Sequence, residues 1–170
     1  TMRLMRNFGF KGYDNVIHPG TNGKMIEVCA AMGLVNLDAF DEIVALNQRN
    51  HATYRESFAG IPGVRILSYD PAEHNSQHYV VFEVGEDCLM TRDEIVATLQ
   101  AENILARKYF WPGAHRMQPY RDLYPHAGLL LPSTEAVASR VVVLPNGPSL
   151  SERAIKTISA TFHIDKEDHA

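Results

Sequence analysis

Asn22 and Lys24 stand in a polar turn, Gly20-Thr21-Asn22-Gly23-Lys24-Met25, that runs directly into a small-residue segment, Ile26 to Leu34. An amide and an ammonium beside a helix start are groups that bind a phosphate, because the free N–H groups and dipole there also favour anions. The same residues also read as a solvated turn, with Gly20 and Gly23 present for the backbone alone. A P-loop is excluded. Only two residues separate Gly20 from Gly23, and Met25 stands where a hydroxyl is needed.

A second candidate is Tyr109-Phe110-Trp111-Pro112-Gly113-Ala114-His115, where the single tryptophan shares a strand-to-loop junction with two other aromatics and a histidine. Such a set can stack a ring and hydrogen-bond hydroxyls, and it can equally plug the end of a sheet. His74 and His78 are four apart, which on a helix would suit a metal; in a loop that runs into a strand the spacing loses that meaning. They read as solvated or structural. His18, before Pro19, could line the Asn22 turn. No hydrolase elbow, zincin motif or dinucleotide fingerprint occurs. None of the five lysines, Lys11, Lys24, Lys108, Lys156 and Lys166, has a context that marks a Schiff-base former.

The elements that must position these residues are legible in outline. Met25 to about Phe58 has a helical pattern, with apolar Leu37, Phe40, Ile43, Val44, Tyr54 and Phe58, and Gly33 as the place where it would kink or split. Ile61-Pro62-Gly63 ends it. Val64–Leu67 and His78–Val84 read as strands, with a loop from Asp70 to Ser76 between them. Thr91-Arg92-Asp93-Glu94 is a capping box opening a helix through Ile95, Leu99 and Ile104. Leu105 to Phe110 is expected to return to the sheet. A loop-rich region follows, then a helix from Ser133 to Arg140 and a buried strand from Val141 to Leu144. A second capping box, Ser149 to Glu152, is expected to open a helix to about Phe162. The charged end, Lys166 to Ala170, is expected to fray. The fold class is α/β, a small sheet with helices packed on it.

Composition narrows the function classes. The 170 residues are 45% hydrophobic and 21% charged, ordinary for a globular protein. A net charge of -4 argues against broad nucleic-acid binding. No apolar run approaches the ~20 residues that span a bilayer, and no secretory signal opens the chain. Cys29 and Cys88 form no metal or redox motif, and the simplest setting is cytoplasmic. The opening Thr1-Met2-Arg3-Leu4-Met5-Arg6 has no helix-start signal, as if the chain began inside a larger fold.

Taken in order, several segments resemble the C-terminal part of a DegT/DnrJ/EryC1/StrS aminotransferase. Arg3-Leu4-Met5-Arg6-Asn7-Phe8-Gly9 is similar to that family's "lR-x-lRNxG" stretch, and Gly20 to Met25 to its "GxNxRM" turn. Ala30-Ala31-Met32-Gly33-Leu34 and Leu37 to Ile43 resemble the helix that follows. Met117-Gln118-Pro119-Tyr120-Arg121 resembles its "LQPxYR" loop, and Val143-Leu144-Pro145 its closing strand. The family often has an aromatic at the position of Gly23 and arginine at that of Lys24; lysine offers phosphate a point charge in place of a planar fork.

The resemblance implies the small C-terminal domain of a fold-type I transferase dependent on pyridoxal 5'-phosphate. A small, partly antiparallel sheet would be packed with helices and preceded by a long linking helix. It divides the chain into residues 1–24, the tail of the large cofactor-binding domain; 25–60, the interdomain helix region; and 61–170, the small domain. It implies an enzyme that aminates a keto group of a nucleotide-linked deoxysugar, using an amino-acid donor, in a homodimer with shared active sites. The Gly-Lys turn and the Tyr109–His115 segment resemble the branch acting at C-4 of a dTDP-4-keto-6-deoxyhexose. Asn22 and Lys24 would then bind the cofactor phosphate of the neighbouring subunit, and Tyr109, Trp111 and His115 the sugar nucleotide. The family's Schiff-base lysine would lie upstream of Arg3, so no catalytic residue is assigned here and the isolated segment is expected to be inactive. The alternative is a non-catalytic sugar-nucleotide-binding or dimerisation module derived from that fold.

Overall fold

Val80, Phe82 and Val84 alternate with Val81 and Glu83, and this period of two buries the first set while leaving the second partly covered. This strand, β2 (Val80–Val84), lies between β1 (Val64–Ile66) and β3 (Val141–Leu144) in an antiparallel sheet of order β1-β2-β3. The register sets Ile66 opposite Phe82 and Phe82 opposite Val142. Three helices pack into the same apolar cluster: α3 (Phe40–Ser57) through Tyr54, α4 (Arg92–Ala101) through Ile95 and Leu99, and α8 (Glu152–Ala160) through Ile155 and Ile158. Among the described residues the other α-helices are α1 (Met2–Met5), α2 (Glu27–Asp38), α5 (Tyr120–Leu123), α6 (Ala127–Leu130) and α7 (Pro132–Arg140), and a short 3₁₀ helix spans Ala114–Arg116. The computed structural model describes residues 1–162; the expected fraying of Lys166 to Ala170 lies outside them.

The chain divides into two units, Thr1–Asp41 and one beginning at Glu42. The first is held by backbone. Thr21 N–H donates to Met5 O at 2.9 Å, Gly23 N–H to Arg6 O at 2.8 Å, and Phe8 N–H to Thr21 O at 3.1 Å. Gly20 lies so close to Gly9 that an added Cβ would meet the Gly9 amide, and Gly9 itself has φ +81°. Its helix α2 buries no side chain: Val28, Met32, Leu34, Val35 and Leu37 are all exposed.

The second unit contains the core, and α3 shows how it differs from the expected apolar face. Leu37 and Phe40 are exposed, whereas Asn47, Asn50, His51 and Tyr54, spaced i, i+3, i+4, i+7, are buried. This inner stripe hydrogen-bonds to loops. Asn47 donates to Ser76 O at 3.0 Å, Asn50 to Asn146 Oδ1 at 3.0 Å and Gly147 O at 3.2 Å, and Tyr54 to Pro145 O at 2.9 Å. His51 Nε2 lies 3.0 Å from Leu67 O; a carbonyl only accepts, so this nitrogen carries the proton.

Three further expectations change. The helical stretch from Met25 does split in two, but at Ala39 and not at Gly33, giving α2 and the long α3. Glycine inside a helix lowers propensity by about 1 kcal/mol without forcing a break. Thr91 and Glu94 form the reciprocal capping box as expected, but α8 is capped by Ser151, whose hydroxyl accepts from Ala154 N–H at 3.1 Å. Glu152 is already the first helical residue and pairs with Lys156 at 2.6 Å. Between Leu105 and Phe110 only Arg107 joins the sheet, in a two-hydrogen-bond bridge to Val143, before the chain turns away at Tyr109.

Candidate functional site

The Gly20–Lys24 turn belongs to the first unit. Its backbone is fixed by the hydrogen bonds to Met5 and Arg6 and by an antiparallel bridge between Asn7 and Asn22. The side chains of Asn22 and Lys24 remain exposed, and among the described residues neither has a carboxylate partner. Lys24 Nζ lies 5.5 Å from the centre of the Phe8 ring. A rigid turn carrying a free amide and an unneutralised ammonium fits a phosphate, so these two residues could hold the phosphate of a cofactor. His18 enters this assembly by its backbone, which lies against Gly9.

The Tyr109–His115 segment belongs to the second unit and presents its residues to different surroundings. Tyr109 lines an open, mostly apolar cleft of about 690 Å³ with Phe110, Met117, Thr134 and Val137. Its hydroxyl is 2.8 Å from that of Tyr79, and Arg107 lies 5.5 Å from its ring centre. The hydrogen bond to Tyr79 holds the proton on Tyr109 and raises this phenol above its ordinary value, with desolvation adding to the effect. Trp111 lines neither this cleft nor the one that takes His115. The guanidinium of Arg92 stacks 4.5 Å from its ring centre, and Arg92 is buried, donating to Ala138 O at 2.7 Å and pairing with Asp93.

His115 lines a different cleft, of about 500 Å³, shared with Arg116, Arg121, Tyr124 and His126. Its Nε2 is 2.6 Å from Glu135 Oε1, and Arg116 Nε donates to the same oxygen at 2.6 Å. Arg116 first, and His115 second, pull the Glu135 carboxyl down to about 2, so it is ionised at neutral pH. The structure therefore does not gather Tyr109, Trp111 and His115 around one point.

His74 is exposed in its loop, and His78 packs edge-on against Tyr79 at 4.9 Å. Lys108 pairs with Asp93 at 3.2 Å. The partners that sequence reasoning missed are Glu135, Tyr79 and Arg92. Glu135 sits in the first turn of α7, where an acid is already explained by the helix dipole. Nothing local ties it to a histidine twenty residues earlier.

The described residues form a small antiparallel sheet covered by helices, the fold shared with the pyridoxal-phosphate-dependent aminotransferases that the chain resembles. The chain belongs to the DegT/DnrJ/EryC1/StrS aminotransferase family, whose model matches residues 1–163. It is 32% identical over 155 residues to the dTDP-4-amino-4,6-dideoxy-D-glucose transaminase of Escherichia coli, covering 91% of this chain and 42% of that protein. It resembles the crystal structure of DesI in the presence of its TDP-sugar product, with a TM-score of 0.80 and 42% identity over 94% of this chain and 40% of that one. DesV of S. venezuelae, in complex with a ketimine intermediate, superposes with a TM-score of 0.80 at 26% identity, over 95% of this chain and 42% of that one. The chain thus spans about two-fifths of the length of these relatives.

Proposed function

We propose that this chain is the C-terminal part of a pyridoxal-phosphate-dependent aminotransferase that aminates a nucleotide-linked keto deoxysugar, a dTDP-4-keto-6-deoxyhexose at C-4. The observation that carries this reading is the likeness to the E. coli transaminase through 91% of the chain. The cofactor, when bound, supplies an electron sink for transfer of the amino group. This chain's residues bind and orient. Asn22 donates to the cofactor phosphate and Lys24 adds charge, serving the active site of the neighbouring subunit in a cytoplasmic homodimer. Tyr109 and His115 contact the sugar nucleotide, each from its own cleft, while Trp111, stacked on Arg92 outside both clefts, is given no contact, and an amino acid is the donor. Residues 1–24 complete the large domain, 25–60 link the domains, and 61–170 form the small one. The exposed apolar surface of α2 supports a covering by the rest of the enzyme.

The full-length enzyme, given cofactor, a dTDP-4-keto-6-deoxyhexose and a panel of L-amino acids, is expected to yield the 4-amino sugar by mass spectrometry. Absence of that product with every donor overturns the reading. Asn22→Ala in that enzyme is expected to weaken cofactor binding about tenfold, the scale of one charge-assisted hydrogen bond. The isolated chain is expected to be inactive and to form no borohydride-reducible adduct with pyridoxal phosphate on any lysine. The second reading, a non-catalytic association module, draws on the same α2 surface. It would prevail if the native protein dimerised but bound neither cofactor nor dTDP-sugar.

A further inference from the structure

The cage around Glu135 is built from two glycines as well as two donors. Gly113 has φ +92°, and a Cβ there would lie 2.7 Å from His115 Cε1 and 3.0 Å from Nδ1. A Cβ on Gly128 would lie 2.9 Å from Glu135 Oε1 and 3.3 Å from Arg116 Nη2. Both glycines therefore leave room for the imidazole–carboxylate–guanidinium contact. The His115 side chain is 9% exposed, so its ring has little freedom to reorient.

An ionised carboxylate can only accept, which makes Nε2 of His115 the protonated nitrogen. The other nitrogen, Nδ1, has no hydrogen-bond partner among the described residues, and it is not a sealed, unsatisfied atom. It lies on the Gly113 side of the ring, and His115 itself lines the cleft with Arg116 and Arg121. With Nε2–H donated to Glu135, Nδ1 is the ring nitrogen left to carry a lone pair, which suits a hydroxyl donor.

We propose that Glu135 is a positioning residue: it fixes the tautomer and orientation of His115 so that Nδ1 accepts a hydrogen bond from a hydroxyl of the sugar. This rests on the reading that His115 touches the nucleotide sugar. A buried ligand-facing histidine needs such an anchor, because either tautomer is otherwise accessible and only one presents an acceptor.

The test separates the anchor from the ligand. Long-range ¹H–¹⁵N spectra of the ¹⁵N-histidine chain, with His115 assigned through His115→Asn, are expected to show the Nε2–H form near pH 7.5. Glu135→Gln, which keeps the shape and loses the charge, is expected to populate both tautomers; Glu135→Asp is expected to keep the Nε2–H form. A wild-type Nδ1–H form, or a Gln variant with an unchanged tautomer, overturns the proposal without any ligand. In the full-length enzyme, the gain in affinity of a dTDP-hexose over dTDP is expected to shrink about fivefold in Glu135→Gln, as for one hydrogen bond. If His115→Asn removes that gain and Glu135→Gln leaves it intact, the positioning role falls while the sugar-binding reading stands. If neither variant changes the gain, the sugar-binding reading falls, and the ligand half of the proposal with it.

Discussion

The two units of this chain are held together by different physics. From Glu42 onward, a single apolar cluster joins the sheet to α3, α4 and α8, and Tyr54, Val80, Phe82, Val142 and Ile155 in it have no exposed surface. From Thr1 to Asp41 the buried apolar core contains no residue. That unit is set by backbone hydrogen bonds, by close glycine contacts, and by a helix whose apolar residues face solvent on every side. A helix that is apolar all round belongs in an interior. The lesson is that a unit can have a specified backbone and a hydrogen-bonded turn without the burial that makes it stable by itself.

The largest expected difference comes from deleting one apolar side chain in each unit. Phe82→Ala, in the centre of β2 and in ring contact with Phe58 and Phe162, is expected to destabilise the chain by about 3–5 kcal/mol in urea unfolding. Leu34→Ala, on α2, is expected to change it by less than about 0.5 kcal/mol. Equal losses would break the contrast, because they would mean that α2 is packed in the isolated chain. The same Leu34→Ala in the full-length enzyme sharpens it: a loss of about 2 kcal/mol or more there would report the covering proposed for α2.

Glycine substitutions within the first unit come next. At Gly20 a methyl group would collide with backbone, the Gly9 amide and Met5 O, neither of which can move aside as a side-chain end could. Gly20→Ala is expected to unstrap the turn, seen as loss of amide protection at Thr21 and Gly23. Gly33, in the middle of α2, has nothing within 4 Å of an added Cβ. Gly33→Ala is expected to raise the helicity of α2, with a gain of up to about 1 kcal/mol. If both substitutions behaved alike, the turn would not be held by close backbone contact.

How much of this could be read from residues alone follows the range of each interaction. The strand read at His78–Val84 and the Thr91–Glu94 cap are local patterns; the strand forms over Val80–Val84 and the cap forms as read. The family resemblance rests on short segments in order, and it extends through nearly the whole chain. What escaped was pairing across distance. Asn47, Asn50 and His51 look like the solvated face of α3, yet their partners at Ser76, Asn146 and Leu67 turn that face inward. Glu135 looks like a helix-start acid and is the anchor of His115. Tyr109, Trp111 and His115 are neighbours in sequence, but each meets different surroundings: two separate clefts and the Arg92 guanidinium.

The smallest expected effect tests whether the buried polar stripe of α3 belongs to the stability of the second unit. Burial is the main influence on His51 and lowers its pKa; the hydrogen bond to Leu67 opposes this shift, and the charge of Arg55 reinforces it. The folded protein therefore binds a proton at His51 less readily than the unfolded chain, whose histidine titrates near 6.5. Where the unfolded state holds more protons, stability rises with pH. The contribution is thus complete above pH 6.5 and is lost as the pH falls from there through the lowered folded value. Unfolding measured between pH 7.5 and 5 is expected to show this decline, and His51→Gln, whose amide can still donate to Leu67 O, is expected to flatten it. Amide exchange within α2 should not follow the same curve. A decline that survives His51→Gln unchanged would place the titrating group elsewhere, and the polar stripe would then be a matter of loop positioning alone.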